Sequence, residues 1–182
     1  PYWVLSAGNP VSLPANGRIG LPGRMELLTT VNPIAIQDDP SRFRVVGTCR
    51  EGTLAGRSYL ETGGNQGDRF AVRLALDPKT AIHCIEVDYP DDRTRTADLI
   101  VQRTRRPHGS HTLEVGYLCG GREMRPTGRM LTHRCLYWTD SDDVAAIFMT
   151  ARNEEPAAVA EIRVYRITDG GLPAAGVDDA PA

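Results

Sequence analysis

The sequence is poor in several things that would have narrowed its chemistry. Lys79 is its only lysine, so arginine supplies nearly all of its 21 basic side chains. Aromatic residues make up 6% of the 182 residues. No apolar run approaches the roughly 20 residues needed to cross a bilayer. The chain begins Pro1-Tyr2-Trp3, without an initiator methionine, a basic leader or an apolar signal core, and reads as a mature or excised fragment. Cys49, Cys84, Cys119 and Cys135 include no C-x-x-C pair, which removes the usual zinc and thioredoxin motifs. There is no Gly-x-Ser-x-Gly nucleophile elbow and no phosphate-binding Gly-x-x-x-x-Gly-Lys loop. The net charge of −2 gives no overall attraction for nucleic acid or anionic lipid. Neither nucleic acid nor membrane is therefore expected as a partner.

What is present is a period of two. In 69–76, Phe70, Val72, Leu74 and Leu76 fall on one face, with Arg69 and Arg73 on the other. This is the pattern of a half-buried strand. The same alternation puts Ile85, Val87 and Tyr89 together, then Leu99 with Val101, Leu113 with Val115 and Tyr117, Leu136 with Trp138, and Ile162 with Val164. Residues 144–150 form a nearly continuous apolar strand. Met25–Val31, Val45–Cys49 and Arg57–Glu61 are shorter candidates, and 32–42 reads as loop. Turn chemistry separates the runs at Asp77-Pro78, Pro107-His108-Gly109, Gly120-Gly121, Pro126-Thr127-Gly128 and 153–156. Regular short strands divided by such turns predict an all-β antiparallel sandwich. The expected layout is an N-terminal extended segment packing on the sandwich (1–43), the sandwich itself (44–168), and a linker-like tail (169–182). That tail suggests neighbouring domains of the same chain. The cysteines read as small buried hydrophobes, with one or two disulfides as the alternative and three connectivities open to four cysteines.

Two segments resemble a known family. One runs Gly67-Asp68-Arg69-Phe70-Ala71-Val72-Arg73-Leu74 into Val87-Asp88-Tyr89-Pro90-Asp91-Asp92. The other runs Thr132-His133-Arg134-Cys135-Leu136-Tyr137-Trp138 through Ala151-Arg152-Asn153 to Ile162-Arg163-Val164-Tyr165. Together they resemble the galactose-binding-like jelly-roll domains that accompany bacterial glycoside hydrolases, over residues 44–168. The resemblance implies a secreted, non-catalytic carbohydrate-binding accessory domain whose partner is a polysaccharide or oligosaccharide. The alternative is a structural or protein-interaction sandwich without glycan binding, and a small jelly-roll lyase or esterase is a third class.

Sugar recognition asks for aromatic faces and a few planar polar groups. Tyr59, beside a Gly-rich loop, and Tyr137, which alternation turns away from Trp138, are the expected surface rings. Arg57, Asn65 and Arg122 are the expected polar partners, with Gln66 and Arg69 nearby. The loop 62–68 is expected to be flexible. Galactose-binding-like folds often hold a structural calcium, which needs six to eight oxygens. Asp88, Asp91 and Asp92 are a partial set for one, and Asp140, Asp142 and Asp143 form a second acidic turn. The His108-x-x-His111 spacing sits in a turn and fixes no metal geometry.

Overall fold

A computed structural model describes residues 25–77, 82–104, 112–119, 125–138 and 141–167, with the backbone alone for 112–119 and Trp138. Along the chain run β1 (Met25–Val31), α1 (Pro33–Ile36), β2 (Phe43–Val46), β3 (Cys49–Leu54), β4 (Arg57–Thr62), β5 (Arg69–Ala75) and β6 (Ile82–Asp91). They are followed by β7 (Arg95–Arg103), β8 (Thr112–Cys119), β9 (Arg129–Trp138), β10 (Asp143–Thr150), β11 (Ala158–Val159) and β12 (Glu161–Ile167). The strands form two main antiparallel sheets, ordered β1-β12-β6-β9 and β2-β5-β10-β7-β8, and a small third sheet, β11-β4-β3. This is the all-β sandwich the alternation predicts. No helix among the described residues is long and apolar enough to cross a membrane.

The core lies between the two main sheets. Phe70, Val72, Leu74, Leu99, Val101, Val144 and Phe148 come from one sheet, and Ile85, Val87, Ile162 and Val164 from the other; all are buried in one cluster. Phe70 stacks on Phe43 at 5.7 Å between centroids and meets Phe148 at 5.3 Å. Each buried ring or aliphatic side chain of this kind contributes about 1.5–3 kcal/mol. Their faces are the ones read from the sequence.

Three local features depart from that reading. First, β1 pairs with β12 from Met25↔Ile167 to Val31↔Ile162, so the boundary drawn at residue 44 falls inside the sandwich. A bulge between Leu27 and Thr29 interrupts the register. Second, 32–42 contains a helical turn. Asn32 starts it, its Oδ1 accepting the Ile34 N–H at 2.9 Å, and Pro33 occupies the first helical position. Third, β3 and β4 form a hairpin. Its Ala55-Gly56 turn has φ of 52° and 79°, the two positive angles that a tight two-residue turn requires.

The small sheet lies over the outer surface of β6. Tyr59, Ala158 and Ala160 form a second buried cluster there, with Leu54 and Met130 against it. The Ala160 N–H donates to the Asp88 carbonyl at 2.8 Å. That covering layer decides the fate of most of the residues singled out from sequence.

Candidate functional site

Strand alternation divides β6 between two environments. Ile85, Val87 and Tyr89 enter the core, which turns Glu86 and Asp88 to the outer surface under the small sheet. Both carboxylates are almost fully buried and take their partners from arginine. Asp88 accepts Arg163 Nη2 at 2.7 Å, Arg163 Nη1 at 2.9 Å, Arg57 Nη2 at 2.8 Å and Thr132 Oγ1 at 2.7 Å. Glu86 accepts Arg134 Nε at 2.5 Å, Arg163 Nε at 2.9 Å and the Tyr165 hydroxyl at 3.2 Å. Burial pushes the Asp88 pKa up, but the bonds from Arg163, Thr132 and Arg57 outweigh it and hold the carboxyl well below the usual range. The same opposition, with Arg134 and Arg163 prevailing, lowers Glu86.

A second group continues beneath β4. Arg95 is the largest fully buried side chain among the described residues. Its Nη1 donates to Glu61 Oε2 at 2.5 Å and to the Pro156 carbonyl at 3.2 Å, and its Nε donates to Asp92 Oδ1 at 2.8 Å. Glu61 also accepts Arg50 Nε at 2.6 Å and Arg93 Nη2. The guanidinium of Arg95 lies 5.3 Å from the Tyr59 ring centroid, a cation–π contact. Burial raises Glu61 and Asp92, yet the arginine bonds bring both below their ordinary values.

These networks correct two expected surface rings and one expected metal set. Tyr59 is only 6% exposed. Its ring lies against Gly52, its cross-strand partner, where an added Cβ would sit 2.3 Å from Cζ. Its hydroxyl donates to Asp92 Oδ2 at 3.0 Å. Tyr137 is 3% exposed and belongs to the main core. The register puts Cys135 opposite Ile85 and Tyr137 opposite His83, so the odd positions of β9 face inward. Sequence alternation fixed that Tyr137 and Trp138 oppose each other, but not which faced in.

The expected calcium set does not fit a cation. The oxygens of Asp88 and Asp92 are taken by arginine, threonine and tyrosine donors. Asp91 points to the opposite side of β6, with Oδ2 accepting the Thr127 N–H at 2.8 Å. Among the described residues no three His, Cys, Asp or Glu side chains gather to hold a metal. In the second acidic turn, Asp143 Oδ1 pairs with Arg73 Nε at 2.7 Å, while Asp140 lies outside the described residues.

Arg57 remains 45% exposed on its side chain while bound to Asp88. Asn65 is exposed at a loop tip, away from the arginine layer. The expected flexible loop is cross-braced: Gly63 N–H to Thr48 O at 2.6 Å, Gly67 N–H to Thr150 O at 2.9 Å, and Glu154 N–H to Gly64 O at 2.6 Å. Gln66 N–H donates to Asn153 Oδ1 at 2.8 Å. Arg122, His108 and His111 lie outside the described residues. Cys49, Cys84 and Cys135 are free thiols. Burial pushes them up to about 11, 11 and 12, so they are poor nucleophiles.

Sequence reasoning missed an open groove of about 530 Å³ on the flank between β1 and β5. Val31, Leu74 and Leu76 form its floor, and Thr29, Arg42, Arg73 and Asp142 line it. They come from four separate stretches of the chain, around 29–31, 42, 73–76 and 142. The bulge in β1 and the bond from the Arg73 N–H to the Arg42 carbonyl, 2.8 Å, bring them to one place.

No family model matches the sequence, and no curated protein matches it significantly. Solved structures do match in fold. A family 35 carbohydrate-binding module from Clostridium thermocellum aligns at 10% identity over 75% of this chain and 98% of its own, with a TM-score of 0.51. The C-terminal family 6 module of LamC, a marine laminarinase from Zobellia galactanivorans, aligns at 12% identity over 78% and 100%, with a TM-score of 0.53. The family 22 xylan-binding domain of Xyn10C from Paenibacillus barcinonensis aligns at 9% identity over 84% and 100%, with a TM-score of 0.51.

Proposed function

Starting from a sandwich shared with three carbohydrate-binding modules, we propose that this chain is a non-catalytic glycan-binding domain. It would serve as an accessory to a larger secreted glycan-degrading protein. One fold hosts many functions, so the reading rests on the site. The observation that carries the proposal is the flank groove, where polar side chains stand over an apolar floor on rigid strands. Concavity with a few convergent polar groups is what a small-ligand site requires.

The carboxylates support a non-catalytic role. A general acid at neutral pH needs a raised pKa. Glu61, Glu86, Asp88 and Asp92 all go the other way, and each has arginine on its oxygens. They are built to stay ionised and in place.

Affinity gel electrophoresis against laminarin, xylan, galactan and pectin tests the proposal. Retardation by at least one polymer is expected, with no reducing sugar released on long incubation. Unretarded migration through all of them, or release of sugar, would defeat it.

A second reading, a structural or protein-interaction module, has its own support. Tyr59, Tyr89 and Tyr137 are all buried, whereas Val45 and Val46 on the edge strand β2 are 47% and 51% exposed. That reading expects no polysaccharide to slow the protein.

A further inference from the structure

We infer that the flank groove is a subsite for a neutral, hydroxyl-rich sugar chain rather than for an acidic one. The inference rests on the glycan-binding proposal and adds the class of sugar and the residues that hold it. Every carboxylate of the arginine layer is neutralised by a neighbour. The groove differs. Arg73 is held by Asp143 at 2.7 Å, whereas Arg42 and Asp142 are exposed, and Arg42 acts on the Asp39 carboxylate through its charge rather than through a side-chain hydrogen bond. Thr29 presents a hydroxyl to the same space.

The mixture of signs selects the ligand. A uronate or sulfate ester would gain from Arg42 and Arg73 but would meet the carboxylate of Asp142. A cation or an amino sugar would gain from Asp142 but would meet two guanidinium groups. A hydroxyl both donates and accepts. Adjacent hydroxyls on one ring therefore satisfy both signs: one donates to Asp142 while another accepts from Arg42 or Arg73, and Thr29 serves in either sense. Hydrogen bonds to charged groups are the stronger kind. Below them lie Val31, Leu74 and Leu76, core side chains only 2%, 1% and 6% exposed, so ring C–H groups gain little there and the polar groups carry the contact. Among the described residues no aromatic ring lines the groove, so orientation rests on the polar groups, which makes each of them sensitive to removal.

The test is affinity electrophoresis and calorimetry on the full chain, with laminarin, xylan and β-1,3-galactan as neutral probes and polygalacturonate and dextran sulfate as acidic ones. Arg42→Ala and Asp142→Ala are each expected to weaken neutral-glycan binding about tenfold, the equivalent of one or two charge-assisted hydrogen bonds. Arg134→Ala, on the opposite surface, should leave it within about twofold. Binding should change little between low and high salt, because no net charge is neutralised. If a variant melts early, Arg42→Gln and Asp142→Asn keep the side-chain volume and carry the same expectation. Neutral binding that survives all four substitutions overturns the subsite but leaves glycan binding standing. Binding confined to the acidic polymers, and steeply salt-dependent, overturns the neutral class. Absence of binding to every probe overturns the inference together with the proposal beneath it.

Discussion

The arginine layer beneath the small sheet and the groove on the opposite flank are made from the same residue types. They differ in whether those residues are already satisfied. In the layer, Glu61, Glu86 and Asp88 are enclosed, Asp92 is half-buried, and each oxygen meets a donor. Enclosed charges are costly unless fully paired, so this pairing holds the small sheet onto β6. In the groove, Arg42 and Asp142 stay exposed and keep their hydrogen-bonding capacity for something else. Charge alone does not mark a site; unused hydrogen-bonding capacity beside an apolar floor does.

Acid should break the layer most severely, because it acts on all of its carboxylates at once. Their folded pKa values lie below the ordinary 4.5 and 3.8. The unfolded chain therefore takes up protons first, and stability is lost as pH falls through 4.5 and then 3.8. His83 adds an earlier step. Burial lowers its pKa below 6.5, and its Nε2 accepts the Asp77 N–H at 3.2 Å, which requires the neutral ring. Stability should begin to fall as pH passes below 6.5. Urea midpoints measured from pH 8 to pH 3 would check this, and a flat profile down to pH 3 would contradict the layer's structural role.

Removing one buried cation comes next. Arg95→Ala deletes the inner partner of Glu61 and Asp92 and opens a cavity against Tyr59. The expected loss is about 3–5 kcal/mol, read as a lower urea midpoint at pH 7. A loss under about 1 kcal/mol would mean that Arg50 and Arg93 carry Glu61 without it. Gly52→Ala sharpens the point from the side of packing. The new methyl would collide with the Tyr59 ring, which must shift off Arg95 and Asp92. Overpacking of this kind costs about 1–3 kcal/mol. Near-ultraviolet circular dichroism should report the displaced tyrosine; an unchanged spectrum and midpoint would show that the ring has room.

The sandwich was legible because period-two alternation is local. Phe70, Val72 and Leu74, and likewise Ile162 and Val164, announce their face within a few residues. Tyr59 was not legible, since its burial depends on a third sheet in which β11 joins the β3–β4 hairpin from about a hundred residues further along the chain. Its polar flanks point outward only in the absence of that cover. Asp88 and Asp92 looked like ligands because arginines brought in from β4, β7 and β12 cannot be placed from spacing. The groove was least legible. Thr29, Arg42, Arg73 and Asp142 come from four separate stretches, and each alone reads as an ordinary surface residue. The one usable signal was the pairing of an acidic turn at 140–143 with a strand carrying Arg73 on its polar face.

The smallest effect discriminates best between the two regions. Arg134 and Arg42 are both exposed arginines; Arg42→Ala should move stability by no more than about 0.5 kcal/mol, and Arg134→Ala by about 1–3 kcal/mol. Arg134→Ala leaves Glu86 Oε2 with Arg163 and Tyr165 but takes the arginine donor from the buried Oε1. Arg42→Ala removes a guanidinium that, among the described residues, acts on Asp39 only through its charge. Assayed well below both unfolding midpoints, the two variants then differ in what solvent-borne ligands meet. If glycan retardation falls for Arg42→Ala and holds for Arg134→Ala, function follows free hydrogen-bonding capacity. If it falls for Arg134→Ala instead, the exposed forks of the arginine layer are the contact surface, and satisfied charge has been mistaken for structure alone.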